Sequence, residues 1–178
     1  MNAAPVIAAV DGSADSLRAL DWALDAARRR AAPLRVVHVR QYAAWGQADV
    51  LVAGPPEAEG DPVLDEVRGR LADHVGSPAV EYLALEGVPG AVLPELGGDA
   101  QLLVLGSRGR GGFASLLLGS NGLAAARDAE CALVVVPRPG REVHGEGPAE
   151  PGPRVVVGLH VDSPDESVLA FAFAEAAL

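Results

Sequence analysis

The sequence predicts an α/β fold: an open parallel sheet of five strands with helices on both faces. Five short apolar runs, rich in valine and leucine, alternate with longer segments in which apolar residues recur at helical spacing. Hydrophobic residues make up 49% of the chain and aromatic residues only 4%, so the core must consist mainly of Ala, Val and Leu. A length of 178 residues suits one domain of ordinary size.

The first half of the chain contains three predicted strands, residues 6–10, 34–39 and 79–85. A helix is predicted after the polar turn at residues 11–13, and the arginines at residues 28–30 suit the negative end of its dipole. A second helix is predicted to start at Pro62 with Asp61 as N-cap and Gly76 as the glycine after its end. The Gly- and Pro-rich segment before it is predicted to be a loop.

The second half contains two more predicted strands, residues 102–105 and 133–136. A short helix is expected at about residues 90–96, although Pro94 in its interior opposes helix formation. A glycine-rich segment, residues 107–118, then leads into a helix over residues 120–128. The fourth strand is thus expected to reach the fifth through a glycine loop and a helix.

Composition excludes several classes of function. The 14 basic residues are all arginine and the net charge is −10, so a P-loop lysine is absent and nucleic acid is not an expected partner. Cys131 stands alone, which excludes an internal disulfide and suits a reducing cytoplasm. We also predict no signal peptide and no membrane association, because the N-terminus lacks a basic segment and no apolar stretch approaches about 18–20 residues.

Three segments are predicted along the chain: a domain at residues 1–137, a Pro/Gly-rich linker at 138–153 and a partial second repeat at 154–178. The last segment repeats the order of residues 6–27, namely an apolar strand, an Asp/Ser turn and a helix. Its strand, residues 155–157, is expected to pair along the fifth strand or at a dimer edge. The alternatives are an ordinary strand–helix unit that only looks like a repeat, or a disordered remnant.

The strongest chemical signal is the glycine-rich segment between Gly106 and Gly122. It begins at the carboxyl end of a buried strand, which is the edge where open α/β sheets bind ligands. Glycines let the backbone approach a ligand closely, and the helix that starts near Ser120 offers unpaired N–H groups to an anion. Arg108 and Arg110 add positive charge to an otherwise acidic chain. The pattern predicts a phosphate site, and the alternative is a solvated surface loop.

Other candidate residues carry weaker signals. The segment Gly109-x-Gly111-x-x-Ala114 fits a loose dinucleotide fingerprint but follows the fourth strand instead of the first, so we interpret it as a coincidence. His38 is predicted to be a packed, hydrogen-bonded histidine, and no histidine has partners at metal-ligand spacing. Asp11 has the chemistry of a general base, but the sequence shows no nucleophile near it. We therefore assign no catalytic residue and no metal site.

The spacing of the glycines resembles the nucleotide-binding pattern of the universal stress protein family. That pattern is Gly106-x-x-Gly109, then nine residues, then Gly119-Ser120. Three further features look like the same family: the VDGS turn at residues 10–13, His38-Val39 at the end of the second strand, and Cys131 before the final strand. The resemblance covers about residues 4–137, and the tail resembles the start of a second copy. It implies a tandem-type protein whose sheet is flavodoxin-like, or adenine nucleotide alpha hydrolase-like.

The resemblance also implies a ligand and the residues that bind it. The ligand is ATP or another adenine nucleotide, with or without Mg²⁺, and the expected contacts are Asp11, Val39, Leu105, Gly106, Gly109, Gly119, Ser120, Asn121 and Gly122. The contacts from the first two strands look like those to adenine and ribose, and the glycine-rich ones look like a phosphate cradle. Asn121 and Gly122 depart from the family, which usually has a small apolar residue followed by Ser or Thr, and we expect weakened phosphate contact.

Three functions stay open on the sequence. The first is a cytoplasmic stress-response protein that binds an adenine nucleotide as a regulatory ligand, in a homodimer or a tandem-domain pair. The second is a slow ATP hydrolase that uses Asp11 with a water or a metal, and the third is a family member that binds no nucleotide and acts through protein contacts. The intact glycine spacing favours the first.

Overall fold

All five strands of the predicted sheet form in the structure, a computed structural model that describes residues 3–41, 60–72, 74, 78–109, 118–138, 154–160 and 162–178. The chain divides into two compact units, Met1–Pro139 and Gly140–Leu178. The strands of the first unit are β1 (Val6–Ala9), β2 (Leu34–Arg40), β3 (Val80–Glu86), β4 (Leu102–Gly106) and β5 (Ala132–Val136). Its helices are α1 (Ala14–Arg29), α2 (Pro62–Leu71), α3 (Pro89–Glu95) and α4 (Ser120–Asp128), with a 3₁₀ turn at Leu96–Asp99.

The strands form one parallel sheet in the order β3-β2-β1-β4-β5. The central strand β1 pairs with β2 on one side, where Val6 lies opposite Leu34, and with β4 on the other, where Val6 lies opposite Leu102. The chain thus winds outward through β2 and β3 and then returns to the far side of β1. The predicted fold class is confirmed in its adenine nucleotide alpha hydrolase-like form. Flavodoxin itself has the order 2-1-3-4-5, so the likeness to it is one of architecture.

Alternate strand residues face two separate cores, as expected for parallel strands that are covered on both faces. On one face, Val36 and Val104 pack with apolar residues of α1 and α2. On the other face, Val37 and Leu105 pack with residues of α3 and α4. Ala, Val and Leu dominate both cores, which confirms the composition predicted from the scarcity of aromatic residues.

The helix ends follow most of the sequence signals. Ser13 caps α1, and Asp61 caps α2 by accepting two backbone N–H groups of its first turn. The α2 helix ends at Leu71, earlier than predicted, and Gly76 lies outside the described residues. Pro94 lies inside α3, which ends after 7 residues and passes into the 3₁₀ turn because proline donates no hydrogen bond.

The second unit contains helix α5 (Glu166–Ala176), capped by the carboxylate of Asp165. Residues 154–160 form no strand, so the expected strand at 155–157 is absent from the described part of this unit. A strand requires a hydrogen-bonded neighbour, and an apolar run alone does not supply one. Its assignment to a second repeat stays a prediction. Of the helices in the described residues, none has the length and apolar character needed to cross a membrane.

Candidate functional site

A cavity of about 890 Å³ opens at the carboxyl ends of β1, β2 and β4. It lies at the point where the chain reverses its winding direction, which is where ligands bind in open α/β sheets. Each residue expected from the resemblance lines it: Asp11, Val39, Leu105, Gly106, Gly109, Gly119, Ser120, Asn121 and Gly122. The structure therefore brings together three regions that are far apart in sequence, around residue 11, around residue 39 and at residues 105–122, and their role in binding stays a prediction.

Sequence reasoning missed part of the cavity wall, including Ser16, Arg40, Gln41, Pro89 and Leu93. A signal for two of these was available, because each helix that follows a parallel strand begins at the carboxyl edge of the sheet. Ser16 lies in the first turn of α1, and Pro89 is the first residue of α3. The N-termini of helices thus contribute to the wall along with the strand ends.

The turn after β1 fixes the carboxylate of Asp11. Its Oδ1 accepts hydrogen bonds from the backbone N–H of Ser13 at 3.0 Å and from the Ser13 hydroxyl at 2.6 Å. The backbone N–H of Asp11 donates to the hydroxyl of Ser16 at 3.2 Å, and Gly12 provides the positive φ of 77° that the turn needs. The other oxygen, Oδ2, faces Gly109, where an added Cβ would lie 2.7 Å from it. The carboxylate of Asp11 therefore lies close to the start of the glycine loop.

The glycine loop, residues 107–118, connects β4 to the N-terminus of α4. The structure describes its two ends, residues 107–109 and 118. Gly119 is the N-cap of α4 and no side chain caps the helix, so the N–H groups of its first turn are not satisfied by a capping side chain. Ser120 and Asn121 are exposed, whereas Gly122 is buried. A Cβ on Gly122 would lie 2.5 Å from Cδ1 of Leu118, so this leucine fills the space beside that glycine.

His38, which is partly buried and lines the cavity, pairs with the buried carboxylate of Asp61. The imidazole Nδ1 lies 2.8 Å from Oδ2 and 3.0 Å from Oδ1 of Asp61, which is only 5% exposed. Burial raises the pKa of Asp61, but hydrogen bonds from His38 and from the Leu64 N–H outweigh it, and the net pKa is lowered. The ionised carboxylate only accepts hydrogen bonds, so Nδ1 carries the proton. The prediction of a hydrogen-bonded histidine agrees with this geometry.

The cavity offers a recognisable set of chemical groups. Val39, Leu93 and Leu105 give an apolar wall that suits a flat ring, Asp11 gives an acceptor for hydroxyl groups, and the start of α4 gives N–H donors for an anion. The described residues contain no group of three or more His, Cys, Asp or Glu side chains placed to hold a metal ion.

Comparison with known proteins decides the family. The model of the universal stress protein family matches residues 3–137. The chain belongs to the universal stress protein family. The match covers the whole sheet, the glycine loop and α4, which confirms the resemblance drawn from the glycine spacing.

Two curated relatives come from Mycobacterium tuberculosis. Universal stress protein Rv2623 is 34% identical over 137 residues, which cover 74% of this chain and 44% of the relative. Universal stress protein Rv2005c is 33% identical over 187 residues, covering 96% of this chain and 59% of the relative, so that match extends into the second unit. The chain spans about half the length of the curated relatives that it matches.

Solved structures of the same family share the fold. A universal stress protein in complex with cAMP is 29% identical, with a TM-score of 0.54 over 74% of this chain and 95% of that one. A universal stress protein family protein from Arabidopsis thaliana with AMP bound has a TM-score of 0.54 at 21% identity, over 79% of this chain and 95% of that one. The Arabidopsis likeness shows the fold alone.

Proposed function

We propose that the chain binds an adenine nucleotide, ATP in the first instance, in the cavity at the switch point between β1 and β4. The nucleotide acts as a regulatory ligand whose occupancy is read by partner proteins in the cytoplasm. One observation carries the proposal: the nine residues expected from the family resemblance, drawn from three regions of the sequence, line one cavity. A coincidental glycine-rich surface loop would have no reason to face Asp11 and Val39.

The groups around the cavity support each part of such a ligand. The apolar side chains of Val39 and Leu105 suit the adenine ring, and the Asp11 carboxylate suits the ribose hydroxyls. The first turn of α4 and the glycine backbone suit the phosphates. The cAMP complex of a family member supports the ligand class. A homodimer or a tandem-domain pair is part of the same proposal.

Slow ATP hydrolysis is the second candidate, because the carboxylate of Asp11 lines the cavity with the glycine backbone and has the chemistry of a general base. Binding without turnover is preferred, since the sequence pairs no nucleophile with Asp11 and general-base catalysis by one carboxylate accelerates hydrolysis only modestly. An Asp11→Asn variant separates the two. It keeps the size of the side chain and removes the base, so it would abolish hydrolysis while leaving a measurable affinity.

Isothermal titration calorimetry of the full chain with ATP, ADP, AMP, cAMP and GTP tests the proposal. We expect binding of adenine nucleotides and at least tenfold weaker binding of GTP. Overnight incubation with ATP followed by chromatography of the nucleotides should show unchanged ATP. Absence of binding by every adenine nucleotide would contradict the proposal, and accumulation of ADP would favour the hydrolase.

A further inference from the structure

A second extensively hydrogen-bonded carboxylate near the cavity belongs to Asp15, which is only 2% exposed. Its Oδ1 accepts hydrogen bonds from the guanidinium of Arg18 and from Nε and Nη2 of Arg138, both at 3.3 Å. Its Oδ2 accepts the hydroxyl of Ser107 at 3.3 Å. Asp15 is not among the residues that line the cavity, whereas Ser107 is. The carboxylate therefore lies behind the wall of the site.

Gly106 brings the helix and the strand close enough for this contact. A Cβ at Gly106 would lie 2.7 Å from the carbonyl carbon and oxygen of Asp15 and 3.0 Å from the backbone nitrogen of Ser16. The first turn of α1 thus rests directly on the last residue of β4, and any side chain at Gly106 would push it away. The glycine of the β4 end serves this packing as well as the cavity.

Ser107 connects the two ends of the glycine loop. It follows Gly106 at the start of the loop, and its carbonyl accepts the backbone N–H of Gly119, at the other end, at 3.1 Å. Its own N–H donates to the carbonyl of Val136, the last residue of β5, at 3.0 Å. Any force that fixes Ser107 therefore fixes both ends of the loop and the start of α4.

The electrostatics keep the Asp15 carboxylate ionised. Burial raises the pKa of Asp15, but hydrogen bonds and charge from Arg18 and Arg138 outweigh it, and the net pKa is lowered. The two arginines are 29% and 59% exposed, so only the acidic partner of this group is buried. The two guanidinium groups exceed the Asp15 carboxylate by one positive charge, which offsets the negative charge that Asp11 brings to the loop.

We propose that Asp15 is a positioning residue: through Ser107 it holds the two ends of the glycine loop in the geometry that binds the phosphates of the nucleotide. This inference rests on the proposed function. Arg138 takes part by holding the carboxylate from the end of β5, so the loop, the start of α1 and the end of the sheet form one hydrogen-bonded unit. The prediction that follows concerns the phosphates alone, because the adenine and ribose contacts come from β1 and β2.

The test compares ATP with adenosine, which lacks phosphate, on the full chain. For Asp15→Asn and for Ser107→Ala, we expect the Kd for ATP to rise at least tenfold and the Kd for adenosine to change less than twofold. The double variant should bind ATP no worse than the weaker single variant, because both changes act on the same hydrogen bond between residues 15 and 107. If Asp15→Asn does not fold, Ser107→Ala and Arg138→Ala carry the same comparison.

Asp21→Asn is the matched control. Asp21 also lies on α1 and accepts two hydrogen bonds from one guanidinium, from Nε and Nη2 of Arg70 at 3.1 and 2.6 Å, but it is exposed and pairs with α2 instead of Ser107. We expect its ATP affinity to equal that of the wild type. An equal loss of affinity for ATP and for adenosine in Asp15→Asn would indicate general damage to the fold and overturn the proposal. Unchanged affinity for ATP would overturn it as well.

A measurement without ligand separates this inference from the proposed function. Hydrogen exchange of the Gly119 amide should be at least tenfold faster in Asp15→Asn than in Asp21→Asn, because the acceptor at Ser107 is no longer fixed. If the wild type binds no nucleotide but exchange increases as expected, the proposed function fails and the positioning of the loop stands. Unchanged exchange at Gly119 overturns the positioning role in every case.

Discussion

Gly109 has no side chain, and this leaves room for the carboxylate of Asp11. A Cβ at this position would lie 2.7 Å from Oδ2 of Asp11, which the Ser13 turn holds in place. We expect Gly109→Ala to weaken ATP binding by at least tenfold, about 1.4 kcal/mol, because Asp11 or the loop must move. Calorimetric titration measures the change.

Two other glycines serve as controls for that substitution. Gly69 on α2 has no atom within 4 Å of an added Cβ, so Gly69→Ala should bind ATP like the wild type. At Gly119 the nearest atom would be 3.9 Å away, so Gly119→Ala should weaken binding less than Gly109→Ala. Equal losses at Gly109 and Gly69 would show that the contact with Asp11 has no part in binding.

Gly122 and Leu118 must be considered together. Restoring a hydroxyl with Gly122→Ser would add a donor for phosphate, but its Cβ would meet Cδ1 of Leu118 at 2.5 Å. We expect the single variant to bind ATP no better than the wild type. The double variant Leu118→Ala with Gly122→Ser should bind more tightly, by up to about 1.5 kcal/mol, because the hydroxyl then has room. Tighter binding by the single variant would show that Leu118 moves freely.

Asp61, the carboxylate that caps α2, makes the stability of the fold depend on pH. The pKa of Asp61 is lowered from 3.8 in the fold, so its stabilising contribution is complete above about pH 5 and is lost as the pH falls through the folded-state pKa. We expect Asp61→Asn to lower the free energy of unfolding by about 1 kcal/mol at pH 7, because the amide still caps α2 but replaces the charged acceptor of the His38 hydrogen bond with a neutral one. The difference from the wild type should shrink as the pH falls towards 3.

Urea unfolding at several pH values measures this difference, because the other carboxylates titrate alike in both proteins. Asp65→Asn is the control: it removes an exposed ion pair with Arg68 from the same helix and should change stability by less than about 0.5 kcal/mol. A difference between Asp61→Asn and wild type that stays constant down to pH 3 would contradict the role of the buried carboxylate.

Elements were predictable where their signals are local. The Asp61-Pro62 cap and the apolar strands depend on neighbouring residues, and both were predicted correctly. Features that depend on distant partners were not predictable. His38 finds Asp61 only after β2 and α2 are packed together, and Leu118 fills the space beside Gly122 only after the loop has closed. The strand expected at residues 155–157 failed for the same reason, since an apolar run does not provide its own partner.

The second unit exposes apolar surface that should drive association between molecules. Phe171 is 42% and Phe173 is 75% exposed on α5, and Val156 is 90% exposed before it. Burying apolar surface contributes about 25 cal/mol per Å². We therefore expect the full chain to sediment with a mass that increases with concentration. The chain without residues 140–178 should sediment with fewer subunits per particle at the same concentration.

A full chain that carries Phe171→Ser and Phe173→Ser should behave like the shortened one. This variant keeps the length of the chain and removes only the apolar side chains, so it tests the surface and not the presence of the segment. If both proteins sediment per subunit like the wild type and melt at the same temperature, the second unit has no part in association.

The central position of β1 has a consequence for the kinetics of folding. Val6 pairs with Leu34 but also with Leu102, and the cavity exists only after this second, distant pairing has formed. Contacts of such sequence separation form slowly, so a nucleotide finds no binding site in the early, partly ordered states of the chain. A concentration of 100 times Kd stabilises the native state by about 2.7 kcal/mol. That stabilisation should slow unfolding about 100-fold and leave the refolding rate unchanged, so the nucleotide prolongs the lifetime of the native state without shortening the time needed to reach it.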